Sequence, residues 1–475
     1  ICDWDQFPDI TGCINGGLDG EFQRFQRKVA ADYLGWQSDI VRKYKREDQF
    51  ITHNLDFEWK KFGADIAQDG YSYGVQPGIN HYEAAKYLTR LGTDIYHPTQ
   101  DDLTGAEIAF GGDSIRSLKH ENYLVLECQA QAFKYWTPYP GQLRLQAYSH
   151  LAGGADGISY WNWHSIHNGF ETYWKGLLSH DLEENPAYDE ACRIGQEWKE
   201  IGKHLIHLEK DNKTALLVDN CSMTAFQWFP IDRDLSYNDV VRWVYDSLYE
   251  MNIECDVVDV NGLDPARYKM IVTPALYCAP EGLLEKLDGF VRNGGVLVST
   301  FKSFVADEYS SVYADKQPHR LRACFGMSYN QFTEPGKTKL MGCRVKYFAE
   351  LLKPEGAQSL ADYEHKYWGK YAGITRNAYG EGAAYYIGCY TEKAVLKQIL
   401  KRAAEDAGIW GRTMEYQWPI IVRQKKNQYG RRLYYVLNYS EEEQNIRCIW
   451  EEVKDLLTGK TFREGEEAVI GDWNL

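Results

Sequence analysis

Apolar and polar positions along the first 208 residues follow two different periods. Residues 21–46 place apolar side chains at helical intervals between charges, which predicts one long amphipathic helix. Short apolar runs then recur, with helical stretches between and after them, at residues 49–55, 93–98, 122–127 and 156–163. Strands that alternate with helices across short connections are parallel and buried on both faces. The pattern therefore predicts four β-α units behind a leading helix.

Four β-α units with a helix in front of them have the form of the C-terminal half of a (β/α)8 TIM barrel. In such a barrel the catalytic side chains lie where the strands end. The four predicted strands end in Asn54, His97, Glu127 and Trp163. We expect these side chains to line the mouth of the half-barrel.

The pattern in the remainder of the chain predicts one α/β domain and one small β domain. From Thr214 the strands and helices alternate as in a doubly wound flavodoxin/amidotransferase-like α/β domain, and from about residue 416 short alternating runs predict a small antiparallel β domain. No G-x-G-x-x-G follows the first strand of the α/β unit, so the Gly-Gly pair at 294–295 is interpreted as a helix end. We place the domains at residues 1–208, 209–408 and 409–475.

Composition narrows the class of partner. The net charge of −15 disfavours binding to nucleic acid or to anionic membranes. The mean hydropathy of −0.52 does not indicate a membrane-spanning segment. Eleven scattered cysteines without C-x-x-C spacing indicate neither a disulfide framework nor a zinc ribbon, and Cys2 and Cys13 alone are too few ligands for a structural zinc. We expect a cytoplasmic protein that needs no metal or cofactor. Fifteen Trp and 35 Tyr would suit a ring-shaped neutral ligand, although a Tyr-rich core explains them equally well.

The sequence text around the third predicted strand carries a family resemblance. The run NYLVLECQAQAFKYW, followed by LRLQAYSHLAGGADGISYWNWHSIHNGFETYWKG, resembles the closing half of the catalytic barrel of glycoside hydrolase family 42, the β-galactosidases. The α/β unit is similar to the trimerisation domain of that family, and VKDLLTGK near the end is similar to its C-terminal domain. The resemblance covers essentially the whole chain. It implies a homotrimer that cleaves terminal β-D-galactosides.

The resemblance also implies a mechanism with two carboxyl groups. It makes Glu127 the nucleophile of a retaining reaction that passes through a covalent glycosyl-enzyme intermediate. The family's acid/base is a Glu in an Asn-Glu pair that ends the fourth strand, and no such pair precedes the helix at residues 21–46. We therefore expect the acid/base to lie upstream of Ile1, and the 475-residue chain by itself to be inactive or nearly so. Without the resemblance, Glu127 could equally cap the next helix or pair with Lys134.

Three more residues match substrate-binding positions of the family, and a fourth departs from its pattern. Trp136 would lie against the sugar, Trp163 would form a floor of the site, and Glu171 would accept hydrogen bonds from adjacent sugar hydroxyls. Trp174 stands where the family often has a His, and because it cannot accept a hydrogen bond it would alter specificity. Barrel packing explains either Trp136 or Trp163 without a ligand, and Glu171 could be a solvated loop charge.

His97 and Asn54 are weaker candidates, because a single His or Asn at a strand end is more often a structural group than a ligand contact. Three other interpretations of the whole chain stay open. One is a non-catalytic carbohydrate-binding or assembly protein of the same fold, and another is α-L-arabinopyranosidase specificity. The third is an amidotransferase-like module with Cys278 as nucleophile, which the missing elbow glycines disfavour.

Overall fold

The computed structural model describes residue 3 and residues 16–58, 73–131, 137–172 and 174–475. In the first part, strands β1–β4 span Leu55–Asp56, Leu91–Asp94, Tyr123–Gln129 and Ala155–Trp161. Helices α1–α5 span Gly16–Tyr44, His81–Ala85, Ala106–Ser117, Gln142–Gly153 and Pro186–Ile201. The strands form one parallel sheet in the order β1-β2-β3-β4. This is the arrangement that alternating strands and helices predict for half of a barrel.

The strand bounds differ from the predicted runs at the first two strands. Of the first run only Leu55 lies in a strand, which continues to Asp56, and β2 ends at Asp94, three residues before His97. Where β2 pairs with β3, the register shifts so that Thr93 faces Val125 but Asp94 faces Glu127. A residue that one strand inserts in this way is a β-bulge, which re-aims the side chains that follow it. The bulge therefore places two carboxyl groups opposite each other at the end of the sheet.

Helix α1 buries a different face from the one its sequence pattern suggests. Its largest apolar side chains point outward, and Trp36 is 58% exposed, whereas Ala31, Leu34 and Gly35 are buried. A Cβ added to Gly35 would lie 2.6 Å from the ring of Tyr87, so the close contact requires a residue without a side chain. The buried face of α1 thus combines small residues with Leu34 and Arg27, and leaves most of its large apolar side chains outside.

The second part contains a seven-stranded sheet in the order β15-β16-β17-β8-β7-β5-β6. Strands β17, β8, β7, β5 and β6 run parallel to one another, whereas β16 is antiparallel to both β15 and β17. Strands β5–β8 span Thr214–Val218, Cys255–Asp259, Met270–Thr273 and Val296–Thr300, and β15–β17 span Gln358–Asp362, Ala372–Tyr379 and Gly382–Ile387. Helices α6–α10 span Asn220–Trp228, Tyr237–Glu250, Glu281–Arg292, Arg322–Phe325 and Lys393–Asp406. The short strands β9–β14 and β18 lie between β8 and α10 and span Met327–Ser328, Phe332–Thr333, Lys339–Leu340, Cys343–Arg344, Lys346–Glu350, Lys353–Pro354 and Cys389–Tyr390.

The last part consists of two-stranded antiparallel ladders, in which β19 pairs with β20, β21 with β24 and β22 with β23. These strands span Ile420–Lys426, Arg432–Asn438, Gln444–Arg447, Glu452–Lys454, Thr461–Arg463 and Glu467–Ile470. One hydrophobic core runs from the first sheet through the seven-stranded sheet to β19 and β20. The proposed domain boundaries stay predictions. None of the helices in the described ranges combines the length and the apolar character that crossing a bilayer requires.

Candidate active site

Glu127 lies near the C-terminal end of β3 with one hydrogen-bond donor on each carboxylate oxygen. The hydroxyl of Tyr96 donates to Oε2 at 3.0 Å, and the amide nitrogen of Asn54 donates to Oε1 at 3.1 Å. The carboxylate is partly exposed, whereas Tyr96 is buried. Hydrogen bonds to both oxygens fix the plane of the carboxylate and leave it accessible from the mouth of the sheet. This geometry suits a carboxylate that must meet a ligand in one orientation.

A second carboxyl group shares the amide of Asn54. The Nδ2 atom of Asn54 lies 2.9 and 3.1 Å from the two oxygens of Asp94, which stands opposite Glu127 in the strand register. Burial and the neighbouring charge of Glu127 raise the pKa of Asp94 to about 7. A carboxyl group with this pKa changes its charge near neutral pH.

Two more acidic groups lie at the same end of the sheet. Asp56 ends β1, and Glu58 follows two residues later. Burial raises the pKa of both, and burial together with the charge of Asp56 raises that of Glu58 to about 8. Carboxyl groups that are crowded and partly removed from water in a cleft are typical of catalytic sites, although structural networks produce them too.

Aromatic side chains line the loop that follows β4. The ring of Trp174 packs edge-on against Tyr96, with 5.7 Å between the ring centroids. Trp163 is 60% exposed and contacts Tyr188 of α5 edge-on at 6.2 Å, so it stands at the rim and presents an open face. The backbone carbonyl of Glu171 accepts a hydrogen bond from the backbone N–H of Trp174 at 2.9 Å, and the Glu171 side chain is partly exposed. Trp136 lies outside the described residues.

His97 points away from this mouth. It is 1% exposed, its Nδ1 lies 2.9 Å from the carbonyl oxygen of Pro98, and its ring is 6.2 Å from that of His150 on α4. Burial lowers the pKa of His97 to about 4, which favours the neutral ring. The prediction that His97 faces the mouth does not match this position. Side chains of an extended segment alternate in direction. Because Asp94 and Tyr96 point to the mouth, His97, one residue after Tyr96, points to the opposite side.

Asp94 and Tyr96 are therefore the site residues that sequence reasoning missed. Both stand in the predicted strand at residues 93–98, at the alternating positions that exclude His97. The run DIY could have suggested them, because its two polar side chains are spaced by two residues. Choosing between the two faces requires the register of β2 against β3, which the sequence pattern does not contain.

Clustered metal ligands and reactive thiols are two other features of the described residues that bear on the chemistry. Within those ranges no group of three or more His, Cys, Asp or Glu side chains is placed to share a metal ion. Cys278, the nucleophile of the amidotransferase-like alternative, is 2% exposed, and burial followed by the charge of Asp219 raises the pKa of its thiol. A buried thiol of this kind is a poor nucleophile.

One large cavity in the described part of the chain lies elsewhere. Its volume is about 2150 Å³, and it is bounded by the C-terminal ladders and by residues such as Tyr148, Lys213, Tyr434 and Trp450. None of the residues around Glu127 contributes to its wall. The chemistry at the end of β3 is therefore assigned from the converging polar groups and not from cavity size.

Family models match most of the chain in two blocks. The model described as β-galactosidase, glycoside hydrolase family 42, matches residues 4–201, and the model described as the β-galactosidase trimerisation domain matches residues 212–410. Among curated relatives, the β-galactosidase LacZ of Lactobacillus acidophilus is 26% identical over 482 residues, which cover 97% of this chain and 69% of that protein. The β-galactosidase BgaB of Geobacillus sp. is 27% identical over 462 residues, with coverages of 93% and 66%. The chain thus spans about two thirds of the length of these relatives.

Solved structures show the same fold. A catalytic mutant of the family 42 β-galactosidase Gan42B from G. stearothermophilus matches with a TM-score of 0.88 at 23% identity, over 100% of this chain and 70% of that one. The β-galactosidase from Bacillus circulans sp. alkalophilus matches with a TM-score of 0.87 at 23% identity, over 100% and 71%. At this identity the likeness concerns the fold, and the family models carry the assignment. The chain belongs to glycoside hydrolase family 42, the β-galactosidases.

Proposed function

We propose that this chain supplies the nucleophile of a retaining β-galactosidase, and that the nucleophile is Glu127. The observation that carries the proposal is the hydrogen bonding of Glu127, with Tyr96 on one oxygen and Asn54 on the other at the end of a parallel strand. A retaining glycosidase needs a carboxylate that is held rigidly and that faces the anomeric carbon. The family membership supplies the substrate class, terminal β-D-galactosides.

In the proposed reaction a Glu127 oxygen forms a bond to the anomeric carbon while the bond from that carbon to the leaving oxygen breaks, and the leaving oxygen takes a proton from a general acid. Water later attacks the same carbon, gives its proton back to that deprotonated group, and releases Glu127 as a carboxylate. The donors on Glu127 hold it in line with the anomeric carbon throughout. This proposal assigns the nucleophile and not the general acid, so its test uses a leaving group that departs without a proton.

The rim residues fit sugar binding. Trp163 presents an open aromatic face, and we propose that it stacks on the sugar together with Trp136. We propose that Glu171 accepts hydrogen bonds from sugar hydroxyls, and that Trp174, packed against Tyr96, gives the site an apolar wall where a histidine would give a polar one. This wall sets specificity by shape.

We further propose that the chain assembles as a homotrimer, because residues 212–410 match the family's trimerisation domain. Sedimentation velocity of the purified chain at several concentrations tests this directly. A species of three times the chain mass is expected, and a monomer that persists at the highest concentration would contradict it.

The central experiment is covalent trapping. A 2,4-dinitrophenyl 2-deoxy-2-fluoro-β-D-galactoside forms the intermediate without acid assistance and releases it slowly, because fluorine destabilises the positively charged transition state. We expect peptide mass spectrometry to locate the label on Glu127. Glu127→Gln should give no label, whereas the matched control Glu121→Gln, two residues before the start of the same strand, should label like the wild type. Label on another carboxylate would contradict the assignment.

The alternatives give different results in the same assay. An α-L-arabinopyranoside lacks only the exocyclic CH₂OH of galactose, so a faster burst of nitrophenol from the arabinopyranoside would favour arabinopyranosidase specificity. Galactose binding by calorimetry without any label on the chain would favour a non-catalytic carbohydrate-binding protein. Label on Glu127 with galactoside preference supports the β-galactosidase.

A further inference from the structure

One side-chain amide connects two carboxyl groups at the mouth of the half-barrel. Asn54 Nδ2 lies within 3.1 Å of three carboxylate oxygens, two from Asp94 and one from Glu127. An amide nitrogen carries only two hydrogens, so three acceptors compete for two donors. The orientation of the Asn54 amide is therefore set as much by Asp94 as by Glu127.

The two carboxyl groups are close, and among the described residues neither forms an ion pair. Both lie about 3 Å from the same nitrogen, so the nearest oxygens of Asp94 and Glu127 are no more than about 6 Å apart. In the part of the chain that the structure describes, no ion pair includes either group. Like charges at this separation interact strongly when they are partly removed from water.

We propose that Asp94 is a positioning residue for Glu127, which orients the Asn54 amide and adds its own negative charge beside the nucleophile. This inference rests on the proposed function of Glu127. The β-bulge that brings Asp94 opposite Glu127 is the structural basis of the arrangement, because without the register shift Asp94 would face Leu126. Asp94 does not touch the reacting atoms, and acts through Asn54 and through its charge.

The charge of Asp94 affects the transition state. Positive charge develops on the sugar as the glycosidic bond breaks, and a second negative charge nearby stabilises it. Burial and Glu127 raise the pKa of Asp94 to about 7, so Asp94 becomes ionised as the pH rises through neutrality. At the effective dielectric constant of a partly exposed site this should accelerate formation of the intermediate roughly three- to tenfold.

Other titratable groups face Asp94, and their effects on the pH dependence of labelling must be distinguished from that of Asp94. Among the described residues these are Asp56 from β1, Tyr96 after β2, and Glu127 and Cys128 from β3. The pKa values of Tyr96 and Cys128 are raised, chiefly by burial, so neither ionises near neutral pH. Glu58 titrates near pH 8 beside Asp56 and is therefore the group whose effect resembles that of Asp94 most closely.

The test measures the rate of covalent labelling by the fluoro-galactoside from pH 5.5 to 8.5. The wild-type rate should rise roughly three- to tenfold with a midpoint near pH 7, and Asp94→Asn, which keeps the shape and removes the charge, should abolish this rise. Glu58→Gln should keep the midpoint near 7. A companion measurement follows the carboxyl resonance of Asp94 in ¹³C-aspartate-labelled protein, where Glu127→Gln should lower the midpoint because it removes the like charge.

The outcomes separate the two proposals. Two results would overturn this inference and leave the nucleophile assignment intact. In the first, Glu127 is labelled and the labelling rate of Asp94→Asn depends on pH as in the wild type. In the second, Glu58→Gln and not Asp94→Asn abolishes the rise of the labelling rate with pH. An Asp94 midpoint that Glu127→Gln leaves unchanged would also overturn it. The absence of label from the wild-type chain would overturn the proposed function and this inference together.

Discussion

A buried cluster of charges joins the three parts of the chain behind the candidate site. Asp113 on α3 is fully buried and accepts hydrogen bonds from Arg423 on β19 at 2.8 and 2.9 Å, from Tyr245 on α7 at 2.8 Å, and from Lys210. Glu254 lies 3.6 Å from both Lys210 and Arg423. Because α3 connects β2 to β3, the cluster anchors the helix between the two strands that carry the candidate site.

We predict that Asp113→Asn destabilises this junction by about 3–5 kcal/mol, which is the cost of removing one partner from a buried ion pair. The cations Lys210, Arg423 and Lys425 face the carboxylates Asp113 and Glu254. The substitution would leave those cations with a single carboxylate. Truncation of an exposed pair would cost only about 0–1 kcal/mol.

The pH dependence of this contribution follows from the pKa of Asp113. Burial opposes ionisation, but Arg423 and Lys210 outweigh it and hold the pKa of Asp113 well below its usual range. A carboxyl group whose folded pKa is lowered contributes stability that is fully present above its unfolded pKa, near 4, and that is lost as the pH falls through the folded value. The difference between wild type and Asp113→Asn should therefore be constant above about pH 5 and shrink in acid.

Native-state hydrogen exchange followed by mass spectrometry measures the effect locally. Peptides from α3 and from β19 should exchange roughly 150- to 4,000-fold faster in Asp113→Asn, because each 1.4 kcal/mol corresponds to a factor of ten. The control is Glu464→Gln, which removes the charge from an exposed ion pair with Arg412 at 2.6 Å. It should alter the rate of hydrogen exchange little. An Asp113→Asn effect below tenfold, or equal to that of the control, would refute the reasoning.

Two further predictions concern the mouth and the sheet. Tyr96→Phe should slow covalent labelling by about 10- to 150-fold, since it removes a hydrogen bond to a charged group that is worth about 1.5–3 kcal/mol; an unchanged rate would contradict the role of this hydroxyl. Gly92→Ala should destabilise the protein by about 1–3 kcal/mol in urea unfolding, because its Cβ would lie 2.3 Å from a hydroxyl oxygen of the segment before β1. The matched change Gly195→Ala, in α5 with nothing within 4 Å, should stabilise by about 0.5–1 kcal/mol, and a shift of both variants in one direction would exclude the steric explanation.

The sequence alone determined the class of the fold and singled out Glu127 as the candidate nucleophile. Apolar runs that alternate with amphipathic stretches specify parallel strands, because a strand covered by helices on both faces must be apolar throughout. A polar residue at the end of such a run is then at the mouth, which is why Glu127 could be singled out before any coordinates. The family resemblance that its surroundings carry agrees with the family models.

Tertiary structure decided which neighbours reach Glu127. The one-residue register shift between β2 and β3 places Asp94 opposite Glu127, and the alternation of side chains then brings Tyr96 to the mouth and removes His97. A local pattern cannot contain this information, because a shift of one residue exchanges the two faces of a strand. The cluster around Asp113 depends on tertiary structure in the same way, since its hydrogen bond to Arg423 joins side chains 310 residues apart in the chain. Sequence periodicity reports which residues leave water, whereas the choice of partner is made only when distant segments pack together.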